Sequence, residues 1–139
     1  MSPSRTEPIQ GGNTAEGQDA LLSLTNGTYN TAVGWFSLPS VTDGKFNTGM
    51  GAGTLVDNTA DNNTATGAGA LLNNTTSDSN TATGAFALFS DTTGSANTVT
   101  GDSALSSNTT GFRNTATGAA ALFSNTTGPA NTAIGFGAH

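Results

Sequence analysis

Hydroxyls and amides, not titratable groups, carry whatever chemistry this chain can perform. In four places two Thr flank one small residue: Thr64-Ala-Thr66, Thr81-Ala-Thr83, Thr98-Val-Thr100 and Thr115-Ala-Thr117. Side chains alternate along an extended strand, so both Thr of a triplet point the same way, about 6.6 to 6.8 Å apart. Stacked sideways, such triplets form a flat array of hydroxyls and methyls able to order water. A plainer reading treats these Thr as β-branched strand formers that point inward or into an interface. Val33, Met50 and Ile134 occupy the place of the second Thr elsewhere and favour an inward direction, whereas Glu16 there suits solvent.

Other chemistry has little to work with. His139, the last residue, is the sole His, there is no Cys, and three Lys plus Arg face nine Asp plus Glu. Catalysis needs a nucleophile, a base within hydrogen-bond reach and an oxyanion stabiliser, so no enzyme and no cofactor are expected. Asp43, Asp57, Asp61, Asp78 and Asp91 fall in turn-like stretches and read as solvated or turn-capping carboxylates. A pair such as Asp57 and Asp61 could approach Ca²⁺, but no calcium-loop spacing is present and no metal site is assigned. A sequence pI near 4.1 and the lack of a basic cluster argue against nucleic acid. The longest apolar runs, 85–89 and 119–123, fall far short of the ~20 residues that cross a bilayer. No Gly-Lys-Ser/Thr follows the glycines, so they read as bends and not as a phosphate loop. Several Asn-x-Thr sequons occur, including Asn26-Gly-Thr28, Asn73-Asn-Thr75 and Asn125-Thr-Thr127.

The elements that must position these groups follow from a repeat. Asn-Thr recurs at Asn13, Asn30, Asn47, Asn63, Asn80, Asn97, Asn114 and Asn131, always 17 residues apart except for one step of 16. Gly stands fifth in every unit, and Leu stands ninth in each complete one, at Leu21, Leu38, Leu55, Leu71, Leu88, Leu105 and Leu122. The consensus is Asn-Thr-Ala-x-Gly-x-x-Ala-Leu-x-x-Asn-Thr-Thr-Gly-x-x. The missing residue falls between Asp57 and Asn62, in the turn part, where a stack tolerates deletion.

Seventeen residues rich in Gly, Thr and Asn are too few for two packed helices. The expected fold is all-β: a parallel β-solenoid of 17-residue coils over 13–139, preceded by a flexible leader over 1–12. Each coil is expected to hold one strand before the Gly, a second short strand at Ala-Leu-x, and a returning turn at Asn-Thr-Thr-Gly. Stacking places each Asn above the last at about 4.8 Å, where amides can bond along the column.

Val, Ile, Leu and Phe make up 23 of 139 residues, about 17% and under the ~20% typical of packed cores. One Leu per coil suggests that a lone chain is marginal, and with no disulfide available the core is expected to be shared in a homo-oligomer, as a parallel trimer. Phe86, Phe89, Phe123 and the Trp35-Phe36 pair read as core or inter-chain packing, with Trp35 the best candidate for an exposed contact.

Asn-Thr-Ala-Val-Gly at 30–34 and Asn-Thr-Ala-Ile-Gly at 131–135, each followed by its Ala and Leu or their equivalents, resemble the head-domain repeats of trimeric autotransporter adhesins of the Yersinia-adhesin type. The fuller unit with Asn-Thr-Thr-Gly is similar to repeats of bacterial surface proteins and phage tail fibres. That resemblance covers about residues 13–138 and implies a left-handed β-roll, three chains side by side, projecting from a cell or virion toward host or environmental surfaces. The expected role is therefore a non-enzymatic structural and adhesive rod, extracellular or on a surface, part of a longer exported chain and without membrane insertion by this segment. Two alternatives stand beside it. The Thr-x-Thr ladders resemble ice-binding faces, and the exposed ends of the stack could pair between copies into a filament.

Overall fold

The computed structural model describes residues 9–139. Eight three-residue strands form one parallel sheet in chain order: β1 (Thr14–Glu16), β2 (Thr31–Val33), β3 (Thr48–Met50), β4 (Thr64–Thr66), β5 (Thr81–Thr83), β6 (Thr98–Thr100), β7 (Thr115–Thr117) and β8 (Thr132–Ile134). Every strand pairs with the next in repeat register, Thr14 with Thr31 and onward to Thr115 with Thr132. The chain is a β-solenoid of 17-residue coils, with no helix among the described residues. Of the leader expected over 1–12, residues 1–8 lie outside the described ones. Gly11 accepts the Tyr29 N–H at 2.8 Å, so contact with the stack begins before Asn13.

The fifth-position Gly ends each strand for two reasons. Its φ lies between 120° and 140°, a region in which L side chains are strained. A Cβ at Gly84 would also stand 2.5 Å from the Gly101 carbonyl oxygen, and one at Gly101 would stand 2.4 Å from that of Gly118. Neighbouring coils therefore touch backbone to backbone at this corner.

The second strand expected at Ala-Leu-x does not form. Positions eight and nine both face inward, as Ala87–Leu88 and Ala104–Leu105 do, all of them fully buried. An extended strand cannot turn two consecutive side chains to one side. The chain instead places each ninth-position Leu in the left-handed region, at φ 50° to 51°. Inter-coil pairing continues through the bend, since the Leu88 N–H donates to the Ala104 carbonyl at 3.0 Å and that of Leu105 to Ala121 at 2.9 Å. A left-handed L residue costs roughly 1 to 2 kcal/mol, less than the loss of a buried Leu, which removes roughly 2 to 5 kcal/mol.

The core is thin: Asn at one, Ala at three, Ala at eight, Leu at nine, and Leu, Val, Asn or Asp at twelve. Leu21 through Leu105 are fully buried by a single chain. Covering the Leu column thus requires no second chain. Packing is compensated locally where the pattern varies. Ser37 and Thr54 replace Ala at position eight in adjacent coils, and their hydroxyls bond at 2.7 Å. Gly49 faces them, where a Cβ would lie 2.6 Å from each hydroxyl.

Candidate functional site

Along β4 to β7 the central residues Ala65, Ala82, Val99 and Ala116 are fully buried. Strand alternation then sends both flanking Thr outward. In register, Thr64, Thr81, Thr98 and Thr115 form one column, and Thr66, Thr83, Thr100 and Thr117 the other. The two columns run side by side at about 6.6 to 6.8 Å, with steps of about 4.8 Å from coil to coil. The inward direction considered for these Thr is therefore corrected. Val33, Met50 and Ile134 share that direction and are 36%, 47% and 72% exposed. They cannot occupy the interior because position three already fills it.

Two classes of Thr hydroxyl emerge. Five of the thirteenth-position hydroxyls are committed to the stack: Thr25 donates to the Thr42 carbonyl at 3.1 Å, Thr59 to Thr75 at 2.9 Å, Thr75 to Thr92 at 2.8 Å, Thr92 to Thr109 at 3.0 Å and Thr109 to Thr126 at 3.1 Å. The eight hydroxyls on β4 to β7 have no partner among the described residues; Thr81, Thr83, Thr98, Thr100 and Thr117 are exposed, and Thr64, Thr66 and Thr115 are half-buried. The wall exposes hydroxyls and methyls without a charged side chain in either column.

Behind the wall stands the Asn column. Each side-chain oxygen accepts the backbone N–H of the next Asn, from Asn30 onto Asn13 at 2.8 Å to Asn131 onto Asn114 at 2.9 Å. Each side-chain nitrogen closes its own coil by donating to a turn carbonyl, as Asn80 does to Gly94 at 2.8 Å and Asn97 to Gly111 at 2.9 Å. Asn47 reaches Ala60 at 2.7 Å, one residue earlier in its coil than the others, so the deletion is absorbed at this bond. Asn30, Asn47, Asn63, Asn80 and Asn97 are fully buried and every buried side-chain polar atom among the described residues is satisfied. These amides hold the wall in register and are not themselves a contact surface.

A second inner column stands at position twelve: Leu24, Val41, Asn58, Asn74, Asp91, Asn108 and Asn125. Asp91, read from the sequence as a solvated turn carboxylate, is fully buried. Burial pushes its carboxyl up to about 7, against the opposing hydrogen bonds of Ser77, Asn108 and the Gly94 N–H. The sequence does carry a signal for it, because Ser77 replaces a turn Gly one coil below the only Asp in the column. Asp43 behaves oppositely, its carboxyl lowered by hydrogen bonds from Asn26 and Thr25 at the surface.

The remaining candidates do not assemble. Among the described residues no three His, Cys, Asp or Glu gather to hold a metal. The Asp61 carboxylate instead accepts the Lys45 N–H at 2.7 Å, while the Asp61 N–H donates to Asp78 at 3.0 Å. His139 is exposed at the end of the chain. Trp35, Phe86 and Phe123 are not in the core, being 57%, 49% and 44% exposed. Tyr29 stacks on Phe46 with centroids 5.3 Å apart and planes within 8°. The Cδ1–Cε1 edge of its ring also lies against Gly12, where a Cβ would meet it at 2.8 Å. No helix among the described residues is long and apolar enough to cross a membrane. Comparison with protein-family models, curated proteins and solved structures finds no match.

Proposed function

We propose that the chain is a segment of a non-enzymatic structural rod that attaches to a surface through the threonine wall, as part of a longer extracellular or virion-borne fibre. The observation behind this reading is the outward pair of Thr columns on β4 to β7, in register over four consecutive coils, with hydroxyls left without partners among the described residues. One Thr contact is weak. Eight at fixed spacing on a rigid sheet act as a multivalent patch, with little ordering cost on binding. Side-by-side association into a trimer remains part of the proposal, and the exposed Leu22, Trp35, Phe86 and Phe123 supply apolar surface for it.

Binding of the labelled protein to cellulose and silica particles tests the reading. Thr83→Lys together with Thr100→Lys should lower retention at least tenfold without changing the circular dichroism spectrum. Equal retention of variant and wild type would remove the wall from the contact.

The same observation favours a second reading, ice binding, because the array is regular and uncharged over four consecutive coils. It predicts thermal hysteresis for the wild type that Thr83→Leu with Thr100→Leu abolishes. Absence of hysteresis in the wild type ends this second reading and leaves the adhesive one standing.

A further inference from the structure

The position-twelve column contains one break in chemistry and one compensating change. Around it, each Asn passes a hydrogen bond down the stack: Asn125 donates to the Asn108 oxygen at 3.1 Å, Asn108 to the Asp91 oxygen at 2.8 Å, and Asn74 to the Asn58 oxygen at 2.7 Å. An Asn at 91 would continue that direction with its NH₂. A carboxylate has nothing to donate. In the coil below, Ser77 stands where Gly27, Gly44, Gly94, Gly111 and Gly128 stand in other coils. Its hydroxyl lies between Asp91, at 3.0 Å from Oδ2, and the Asn74 oxygen, which it contacts closely. Asn80 donates to the same hydroxyl at 3.1 Å.

One Ser hydroxyl has one proton and two oxygen neighbours that need it. If Asp91 is ionised, that proton serves the carboxylate, and the Asn74 oxygen faces a bare hydroxyl oxygen. If Asp91 is neutral, its own O–H donates to Ser77 and the Ser77 O–H donates to Asn74. The line then runs unbroken from Asn125 through Asn108, Asp91, Ser77 and Asn74 to Asn58. We infer that the Ser77–Asp91 pair is a proton-dependent lock between the fourth and fifth coils, closed when Asp91 carries a proton and broken when it loses it.

The surroundings support the closed form. The groups acting on the Asp91 carboxyl are its burial, the Ser77 hydroxyl and Asn108 amide, and the Gly94 N–H; no charged side chain contributes. Burial outweighs the others, raising the carboxyl from 3.8 to about 7. Because the folded protein holds this proton more tightly than the unfolded chain, the contribution is complete below about pH 4 and is lost as pH rises to about 7. The sense is opposite to that of an ordinary surface-bonded Asp such as Asp43, whose stabilisation is lost on acidification.

Denaturant unfolding of wild type and Asp91→Asn from pH 4 to pH 8 tests the lock. Asn supplies the donor permanently, so the two proteins should unfold alike near pH 4. By pH 8 the unfolding equilibrium constant of the wild type should exceed that of Asp91→Asn by about 1000-fold, the ratio that a carboxyl raised from 3.8 to about 7 requires. Parallel pH profiles would overturn the inference. Carbon-13 NMR titration of the wild-type Asp91 carboxyl supplies a measurement that needs no variant: a midpoint near 7 supports the lock, and one near 4 refutes it.

Discussion

The second and third coils, from Asn30 to Asn62, and the fourth to seventh, from Asn63 to Ala130, share one backbone and differ in what it carries. In the earlier coils the twelfth position holds Val41, stacked after Leu24 of the first coil, and then Asn58, where the polar column begins, and the outward fourth position holds Val33 and Met50 beside exposed Trp35 and Phe46 and the first coil's Tyr29. In the later coils the twelfth position is an amide and carboxyl column, and the outward position is Thr four times running. Asn at one, Gly at five and Leu at nine are the same in both. The difference separates two kinds of residue: those that make a coil, which recur unchanged from coil to coil, and those that dress it, which set what each stretch of the rod offers to a partner.

Substitutions can break that separation. The largest effect is expected from Gly84→Ala and Gly34→Ala, whose Cβ atoms would stand 2.5 and 2.6 Å from the next coil's carbonyl oxygen at positive φ. Each should cost about 3 kcal/mol or more, and a large difference between the two would mean that the corners of the two regions are not equivalent. Leu88→Ala and Leu38→Ala should each cost about 3 kcal/mol by cavity formation, measured as the shift in urea unfolding. Asn80→Ala leaves the Asn97 N–H and the Gly94 carbonyl unpaired, and should cost about 2 kcal/mol. Asymmetry is expected at position twelve. Asn74→Val removes the donor to Asn58 and should cost about 2 kcal/mol, whereas Val41→Asn only lengthens the polar column and should cost less than about 1 kcal/mol. Smallest of all, Thr83→Val with Thr100→Val should shift stability by under about 0.5 kcal/mol while altering what the wall binds. A large loss of stability in that pair would place those hydroxyls in the fold and not on the contact face.

The coil-making residues were legible because repetition exposes them: eight Asn and eight Gly at one spacing leave no other architecture of comparable economy. The dressing residues were not. Val33, Met50 and Ile134 look like core by residue type, and only the strict alternation around a buried Ala shows that they point outward. A second strand fails to form for a related reason, since a hydrophobic Ala-Leu pair suggests a strand by residue type, yet placing both side chains inside requires the left-handed bend at Leu. Asp91 was hidden by its type, because an acidic residue in a turn-like stretch ordinarily faces water. Its column neighbours and the Gly-to-Ser change at 77 were visible, but their meaning depends on which residues stack.

The outward direction of the threonine wall in the free protein underlies the account, and the lack of any native Cys makes it directly measurable. Single substitutions Thr83→Cys, Thr100→Cys, Ala82→Cys and Leu88→Cys, reacted with a thiol reagent under native conditions, should divide sharply. The first two are expected to label at nearly the rate of the unfolded protein, and the last two to be protected at least a hundredfold. Protection of Thr83→Cys and Thr100→Cys equal to that of Ala82→Cys would place the wall inside the fold or against another chain and contradict the account.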